Sequence, residues 1–239
     1  HGSYKVGDDV SAELCVTKFE LTNVGSEIAG PFPGDVRKTD EIRLQSIPDI
    51  LDELKDKPFY ISVKLDGMSG TFIRREDCLE VCSRNNMLRE GEGAHWTVAK
   101  KYSLLEKLPV GFAVQGEVCG PGIQRNRLKL KELDLFIFNV YDIKAGRYLG
   151  YTEFVLFCLR HGLKTVPIEF EVSTPEELSV FPFTLENFLE LAKGEYPNTG
   201  NRREGIVVRP MVECYSETLN GDRLSFKVIN NEFLLKDEL

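Results

Sequence analysis

Histidine is scarce in this 239-residue chain, with three in all, and the six cysteines form no CxxC pair. Cys78 and Cys82 are the closest two cysteines, and no histidine lies near them. Paired thiol and imidazole spacings are the signature of a zinc site, so none is expected. The thiols read instead as buried and reduced, as inside a cell, in cytoplasm or nucleus. A histidine-based triad has no support around His95 or His161, and His1-Gly2-Ser3 reads as an expression scar. Long apolar runs are absent: stretches such as Leu135-Phe136-Ile137-Phe138 fall far short of the roughly 20 residues of a membrane-spanning helix, so no membrane partner is expected. A surplus of positive charge is also missing, since 30 Lys and Arg face 38 Asp and Glu for a net charge of −8. Coating nucleic acid by overall charge is therefore excluded, and any such contact must rest on local basic clusters. There is no internal repeat and no Rossmann glycine pattern. The closing Lys236-Asp237-Glu238-Leu239 spells an endoplasmic-reticulum retention signal, but no signal peptide accompanies it, so it reads as coincidence.

What is present is an ordinary globular balance, 42% hydrophobic and 28% charged, enough for a sizeable core. The spacing of Leu44, Ile47, Ile50, Leu51 and Leu54 predicts one helix that Pro58 stops. A strand follows over residues 59–63, leaving through Lys64-Leu65-Asp66-Gly67. Residues 71–74 and 79–82 read as a hairpin, and 96–108 as a helix. Residues 112–118 form a strand that ends at a Gly-Pro-Gly bend. Residues 135–141 form a strand with large apolar side chains on both faces, hence a central one. A helix over 152–161 closes at Gly162. Thr174-Pro175-Glu176-Glu177 is a capping box with proline in the first turn. A helix over 185–193 and strands over 205–209 and 224–229 complete an irregular alternation, and the class is α+β. The Pro- and Gly-rich residues 28–34 read as a linker, and residues 10–19 as a strand of a preceding domain. The expected organisation is a scar, a domain remnant and a linker over 1–38, then one domain over 39–239.

Chemistry enters with Lys64-Leu65-Asp66-Gly67. A lysine at the end of a buried strand is held stiffly, which suits a nucleophile once burial or nearby cations lower its pKa. Taken alone, the tetrapeptide reads equally as a surface turn with a Lys–Asp pair. Later segments change the reading. Ser83-Arg84-Asn85 ends a strand with an arginine that can meet a phosphate. Glu117 ends another strand, and Phe136 and Phe138 share a face where a ring can stack on a base. Glu204-Gly205-Ile206-Val207-Val208-Arg209 puts a carboxylate at a strand start, and Phe226-Lys227 puts a lysine inside a strand.

In this order the motifs resemble those of the covalent nucleotidyltransferases, the RNA ligases, DNA ligases and capping enzymes. The similarity runs from about Lys38 to the end of the chain. Lys64-Leu65-Asp66-Gly67-Met68-Ser69-Gly70-Thr71 is similar to the RNA-ligase form, with Ser69 where DNA ligases usually carry arginine. Residues 38–45, 116–124 and 225–229 resemble the RNA ligases typified by the Deinococcus and Naegleria enzymes, which carry an OB-fold domain before the catalytic one. Only a few residues follow Lys227, so the trailing OB domain of DNA ligases and capping enzymes is not expected here. Two departures stand out: Ile229 replaces the second lysine of the last motif, and Val63 precedes the nucleophile where relatives often have Glu.

The resemblance implies antiparallel sheets flanked by helices, with the nucleotide site between them. It implies an ATP-dependent RNA ligase that joins 3′-hydroxyl and 5′-phosphate ends, as in nick sealing and RNA repair, through a lysyl-AMP at Lys64. Cofactors would be ATP and Mg²⁺ or Mn²⁺, the partner a nicked RNA duplex, and the molecule a monomer. Lys227 would hold the α-phosphate with help from Arg43, whose other reading is an exposed helix residue. Glu117 would take the ribose hydroxyls or the metal, and Glu204 the metal. Phe138, or else Phe136, would stack on adenine with Val207 on the other face. Arg84 and Asn85 would meet the ribose or the RNA end, and Arg125, Arg127 and Arg202 would contact RNA phosphates. Asp66 would be a structural or metal-proximal partner. Rival readings are a DNA ligase, a GTP-using capping enzyme, or a non-catalytic nucleotide or RNA binder.

Overall fold

The computed structural model of the chain describes residues 27–235. The strand expected over residues 10–19 and the closing tetrapeptide lie outside the described residues. In chain order the elements are β1 (Ile28–Pro31), β2 (Ile42–Arg43), a 3-10 turn (Leu44–Ser46), α1 (Ile50–Leu54), β3 (Phe59–Lys64), β4 (Met68–Arg74), β5 (Leu79–Cys82) and β6 (Asn86–Leu88). There follow α2 (Ala94–Lys101), α3 (Leu104–Lys107), β7 (Phe112–Cys119), β8 (Asp134–Asp142), β9 (Arg147–Tyr148), α4 (Tyr151–His161) and β10 (Ile168–Val172). The chain closes with α5 (Pro175–Val180), α6 (Leu185–Ala192), β11 (Gly205–Pro210), β12 (Phe226–Ile229) and α7 (Asn231–Leu235).

The described strands form a seven-stranded sheet in the order β1-β6-β5-β4-β7-β8-β9 and a five-stranded sheet in the order β10-β3-β11-β12-β2. Neighbouring strands pair antiparallel, apart from the short parallel pair of β12 with β2. Side chains alternate between faces along each strand, so each sheet has two distinct surfaces. On the seven-stranded sheet one surface offers Phe72, Val81, Val114, Leu135 and Ile137, which pack under Val98, Leu104, Phe154 and Cys158 of the helices α2 to α4. On the five-stranded sheet Phe59, Ile61, Ile206, Val208 and Phe226 pack under Leu51 and Leu54 of α1 and Phe188 and Ala192 of α6. Fully burying one such side chain contributes about 1.5–3 kcal/mol, so the helices are held by these apolar faces. A smaller cluster of Val63, Leu65, Cys119, Val166 and Tyr196, with Phe136 and Phe138 against it, packs residues of β3, β7 and β8 together. The fold is the expected α+β class, antiparallel sheets flanked by helices.

Several local expectations are corrected. The helix predicted from Leu44 to Leu54 is a 3-10 turn and a five-residue helix, with Pro48 between them. A residue before proline is pushed out of the helical region, and Ile47 has φ −142°. The helix predicted over 96–108 breaks at Ser103, which adopts a left-handed φ of 51°. Residues 28–31, read as a linker, pair with β6 as the edge of the seven-stranded sheet, and Val36 just beyond is buried. β8 is covered on both faces but sits next to the short edge strand β9, not at the centre. The Thr174 cap forms as expected: its hydroxyl accepts from Glu177 N at 3.2 Å, and Glu177 accepts from Thr174 N at 3.0 Å.

Candidate active site

Three adjacent strands bring the expected residues together. β3 ends in Lys64, β11 begins one residue after Glu204, and β12 carries Lys227. The register opposes Gly205 to Lys64, and Val207 to both Ser62 and Lys227. The two-residue alternation then turns Ser62, Lys64, Val207 and Lys227 to the same surface, which faces the other sheet. That surface lines a cavity of about 510 Å³, closed from the seven-stranded sheet by Ser69, Glu117 and Phe138.

Lys64 Nζ donates to Glu204 Oε2 at 2.8 Å, with both side chains about a quarter exposed or less. Glu117 accepts from Gly67 N at 3.1 Å. A Cβ at Gly67 would lie 2.5 Å from Val118 O and 2.8 Å from Glu117 Cγ, so only glycine lets the turn after Lys64 rest against β7. Burial pushes the Glu117 carboxyl up to about 7; Lys64 pulls it down and Glu204 pushes it further up. The Lys227 ammonium is held below its ordinary value, first by burial, then by the positive charges of Lys64 and Arg43. A cleft with two lysines and two carboxylates suits an anionic substrate whose charge is redistributed during reaction.

The remaining expected residues divide. Val207 and Phe138 line the cavity together with Val166. Phe136 lies in the cluster between the sheets and does not line it. Arg84 and Asn85 stand on the cavity wall. Arg84 ion-pairs with Asp40, and Asn85 Oδ1 accepts from Lys38 Nζ at 3.3 Å. Arg43 is an exposed residue of β2, not of a helix; it opposes Lys227 in register but is not part of the cavity lining. The basic clusters are not uniformly solvent-facing. Arg127, with 11% of its side chain exposed, pairs with Asp66 at 3.0 Å and covers the ring of Phe233. Asp66 thereby acts as a structural partner. Arg202 pairs with Glu232 at 3.1 Å, and its neighbour Arg203 is buried against the Leu191 and Ala192 carbonyls. Arg125 remains exposed on the loop after β7.

Thr39, His95, Val166 and Arg209 also line the cavity, and no role was assigned to them from the sequence. Thr39 and Ser69 share a hydrogen bond of 2.7 Å, and His95 Nε2 lies 3.0 Å from Ser69 O. Arg209 had a legible signal, a charge at the end of the apolar run Gly205–Val208. It is 2% exposed, donates to Glu41 Oε1 at 2.8 Å and to Phe138 O at 3.3 Å, and so ties β11 to β8.

Among the described residues no group of three or more His, Cys, Asp or Glu is placed to hold a metal. Glu117 and Glu204 do offer two carboxylates near Lys64. That suits a magnesium-like ion completed by phosphate oxygens and water rather than caged by protein.

The RNA ligase family model matches residues 57–229. No curated protein matches by sequence. Among solved structures, a variant of Naegleria gruberi RNA ligase with ATP and manganese is 35% identical, with TM-score 0.80 over 99% of this chain and 70% of that one. The same ligase with pyrophosphate is 35% identical, with TM-score 0.79 over 98% of this chain and 68% of that one. A variant with AMP and manganese is 34% identical, with TM-score 0.79 over 98% and 68%. The cleft between two antiparallel sheets, with its lysine at the end of β3, is therefore a nucleotidyltransferase fold, and the chain belongs to the RNA ligase family.

Proposed function

We propose that this chain uses ATP to join RNA 3′-hydroxyl and 5′-phosphate ends at nicks in a duplex, through a lysyl-AMP intermediate on Lys64. The observation that carries the reading is the Lys64–Glu204 pair at 2.8 Å in one cavity with Lys227, Glu117 and Phe138. The Naegleria ligase was solved with ATP, the reactant of such an adenylyl transfer, with pyrophosphate, its leaving group, and with AMP.

Attack requires a neutral Lys64 amine. Glu204 already accepts a hydrogen bond from that ammonium, so it is the base within reach for the departing proton. The amine lone pair then forms a bond to the α-phosphorus, and pyrophosphate leaves with the electrons of the broken P–O bond. Lys227 faces the growing negative charge on the α-phosphate. Phe138 and Val207 form the two apolar walls for adenine, and Glu117 accepts from the ribose hydroxyls. A divalent cation held by Glu204 and Glu117 would supply charge neutralisation to the phosphates. In the second transfer an RNA 5′-phosphate oxygen attacks the lysyl-AMP phosphorus, the P–N bond breaks, and Lys64 regains a proton. In the third, a 3′-hydroxyl oxygen attacks the activated 5′-phosphorus, its proton passes to solvent, and AMP departs with the electrons of the broken P–O bond. Arg84 and Asn85, on the cavity wall, are placed to take the RNA end once Arg84 exchanges Asp40 for a phosphate. Arg125 and Arg43 are exposed to reach phosphates farther out.

The test is intact mass after incubation with ATP and Mg²⁺ or Mn²⁺, beside Lys64→Ala and beside GTP. An adduct of one AMP, lost in the variant and absent with GTP, is expected. Sealing of a nicked RNA duplex faster than of two single strands is expected next. A folded, nucleotide-free sample that gains no AMP would refute the ligase mechanism.

A further inference from the structure

Lys64 and Glu204 are 140 residues apart in sequence, and the ladder that joins their strands stops at them. The last paired residues are Gly205 and Lys64, so past them the β3–β11 ladder no longer holds Glu204 against the lysine; Asn230 N donates to Glu204 O at 2.9 Å and ties it to the end of β12 instead. The tie to the lysine's own strand is a side chain. The hydroxyl of Tyr196 donates to Lys64 O at 3.0 Å and accepts from Glu204 N at 3.2 Å. We propose that Tyr196 is a positioning residue for lysine adenylylation, its hydroxyl clasping the backbones of Lys64 and Glu204 so that nucleophile and carboxylate stay in register. This inference rests on the adenylylation reading of the same site.

The clasp is built as a rigid part. Tyr196 is 3% exposed, with its ring among Val63, Leu65, Cys119 and Val166. Burial holds its hydroxyl proton well above the ordinary tyrosine range, so the group remains a donor throughout the working pH range. Its own backbone is pinned: Tyr196 N donates to Asn201 O at 2.9 Å, and Thr199 Oγ1 donates to Tyr196 O at 2.8 Å. Asn201 Nδ2 donates to Arg127 O at 2.6 Å, and Arg127 in turn pairs with Asp66, two residues past the nucleophile. The same loop thus reaches Lys64 directly through Tyr196, and Asp66 indirectly through Arg127. Neither Lys64 nor Glu204 needs Tyr196 for its chemistry, only for its place. Misplacing a reacting atom by about 1 Å costs on the order of 100-fold in rate.

Tyr196→Phe keeps the ring and removes the clasp. Single-turnover formation of lysyl-AMP should slow by roughly 10- to 100-fold, with the ATP concentration for half-maximal rate within about twofold of wild type. Sealing of RNA that already carries a 5′-AMP should fall less, because Lys64 is not the nucleophile there. As a readout independent of catalysis, the NMR resonance of ¹³C-methylated Lys64, identified by its loss in Lys64→Arg, should move in Tyr196→Phe while those of distant lysines stay. Thr199→Val, which loosens the loop and leaves the hydroxyl, should give the same pattern more weakly and serves if Tyr196→Phe does not fold. A wild-type adenylylation rate with an unmoved Lys64 resonance overturns the proposal. Equal losses in ATP half-saturation, adenylylation and sealing also overturn it, as a merely structural role. Failure of wild type to gain AMP refutes the ligase reading instead, and the resonance then decides the clasp alone.

Discussion

Replacing Gly205 with alanine probes the joint between Glu204 and the sheet. Gly205 has φ +151°, and a Cβ built there would lie 2.0 Å from Val228 O and 3.1 Å from Ile229 Cα. It pairs with Lys64 on one side and Ile229 on the other, so β11 cannot slide away from β12 without pressing on β3. Two costs follow. An alanine held in this glycine region carries about 1–3 kcal/mol of backbone strain. Relieving the contact means moving β12 away and giving up a ladder hydrogen bond worth about 1 kcal/mol. The sum, about 2–4 kcal/mol, corresponds to a fall in Tm of roughly 4–16 °C for a chain of this size. Thermal unfolding followed by circular dichroism measures it, with Gly146→Ala as a control. Gly146 has φ +66° with nothing within 4 Å of its Cβ position, so it isolates strain from collision and should lose only about 1 kcal/mol. Because Lys227 rides on β12 and Glu204 precedes the glycine, AMP-adduct formation at 20 °C (about 293 K), where the variant stays folded, should also drop, by on the order of 100-fold. A Gly205→Ala protein that melts within about 1 °C of wild type and forms the adduct at an unchanged rate would show that the close approach of β11 to β12 does not constrain the site.

Other perturbations separate the roles of neighbouring groups. Lys64→Arg keeps a cation against Glu204 but has no amine to attack phosphorus, so it should melt like wild type, gain no AMP by mass, and still seal RNA supplied with a 5′-AMP. Glu117 has a folded pKa of about 7 against an ordinary value of 4.5, so between those values the native state binds more protons than the unfolded one and stability falls as pH rises through this window. Glu117→Gln should therefore stabilise the protein at pH 8 relative to wild type, by up to about 3 kcal/mol, and lose that advantage near pH 4.5, as read from urea unfolding at both pH values. Glu41→Ala leaves the buried Arg209 guanidinium with Ser225 and Phe138 O but no carboxylate; a loss of about 3 kcal/mol is expected by denaturant unfolding, and a loss below about 1 kcal/mol would mean the pair is dispensable. Asp40→Asn breaks an exposed ion pair, so it should change stability by less than about 1 kcal/mol while strengthening binding of 5′-phosphorylated RNA at low salt, measured by fluorescence anisotropy.

Local signals in the sequence carried far where the physics is local. The Thr174 capping box, the Gly162 helix end and the apolar strands expected over 59–63 and 205–209 are written in neighbouring residues, and they fold as those residues dictate, each strand running one residue further. The predicted helices over 44–54 and 96–108 failed for equally local reasons, Pro48 and the left-handed Ser103, which periodicity alone overlooks. The glycine of Lys64-Leu65-Asp66-Gly67 was legible as a turn residue. Its need for glycine comes from β7, some fifty residues on, whose backbone fills the place of a Cβ.

The choice between Phe136 and Phe138 shows where sequence reasoning stops. Strict alternation puts both rings on one face. A register shift at Gln115/Gly116 makes Phe138 the extra residue opposite β7, and it is Phe138 that reaches the cavity. Charge follows the same rule. Arg127 and Arg202 stand in the sequence as candidates for RNA phosphates, and their partners Asp66 and Glu232 are brought to them only by the fold. By itself, the sequence determined the family, the α+β class and the identity of the lysines and carboxylates available for reaction, because motif letters and short-range propensities are carried by residues close in the chain. Only the tertiary structure decided which of them share a cavity, which cations are already paired, and that Tyr196 joins Lys64 to Glu204, because each of these depends on strand registers and sheet packing between residues tens to more than a hundred positions apart.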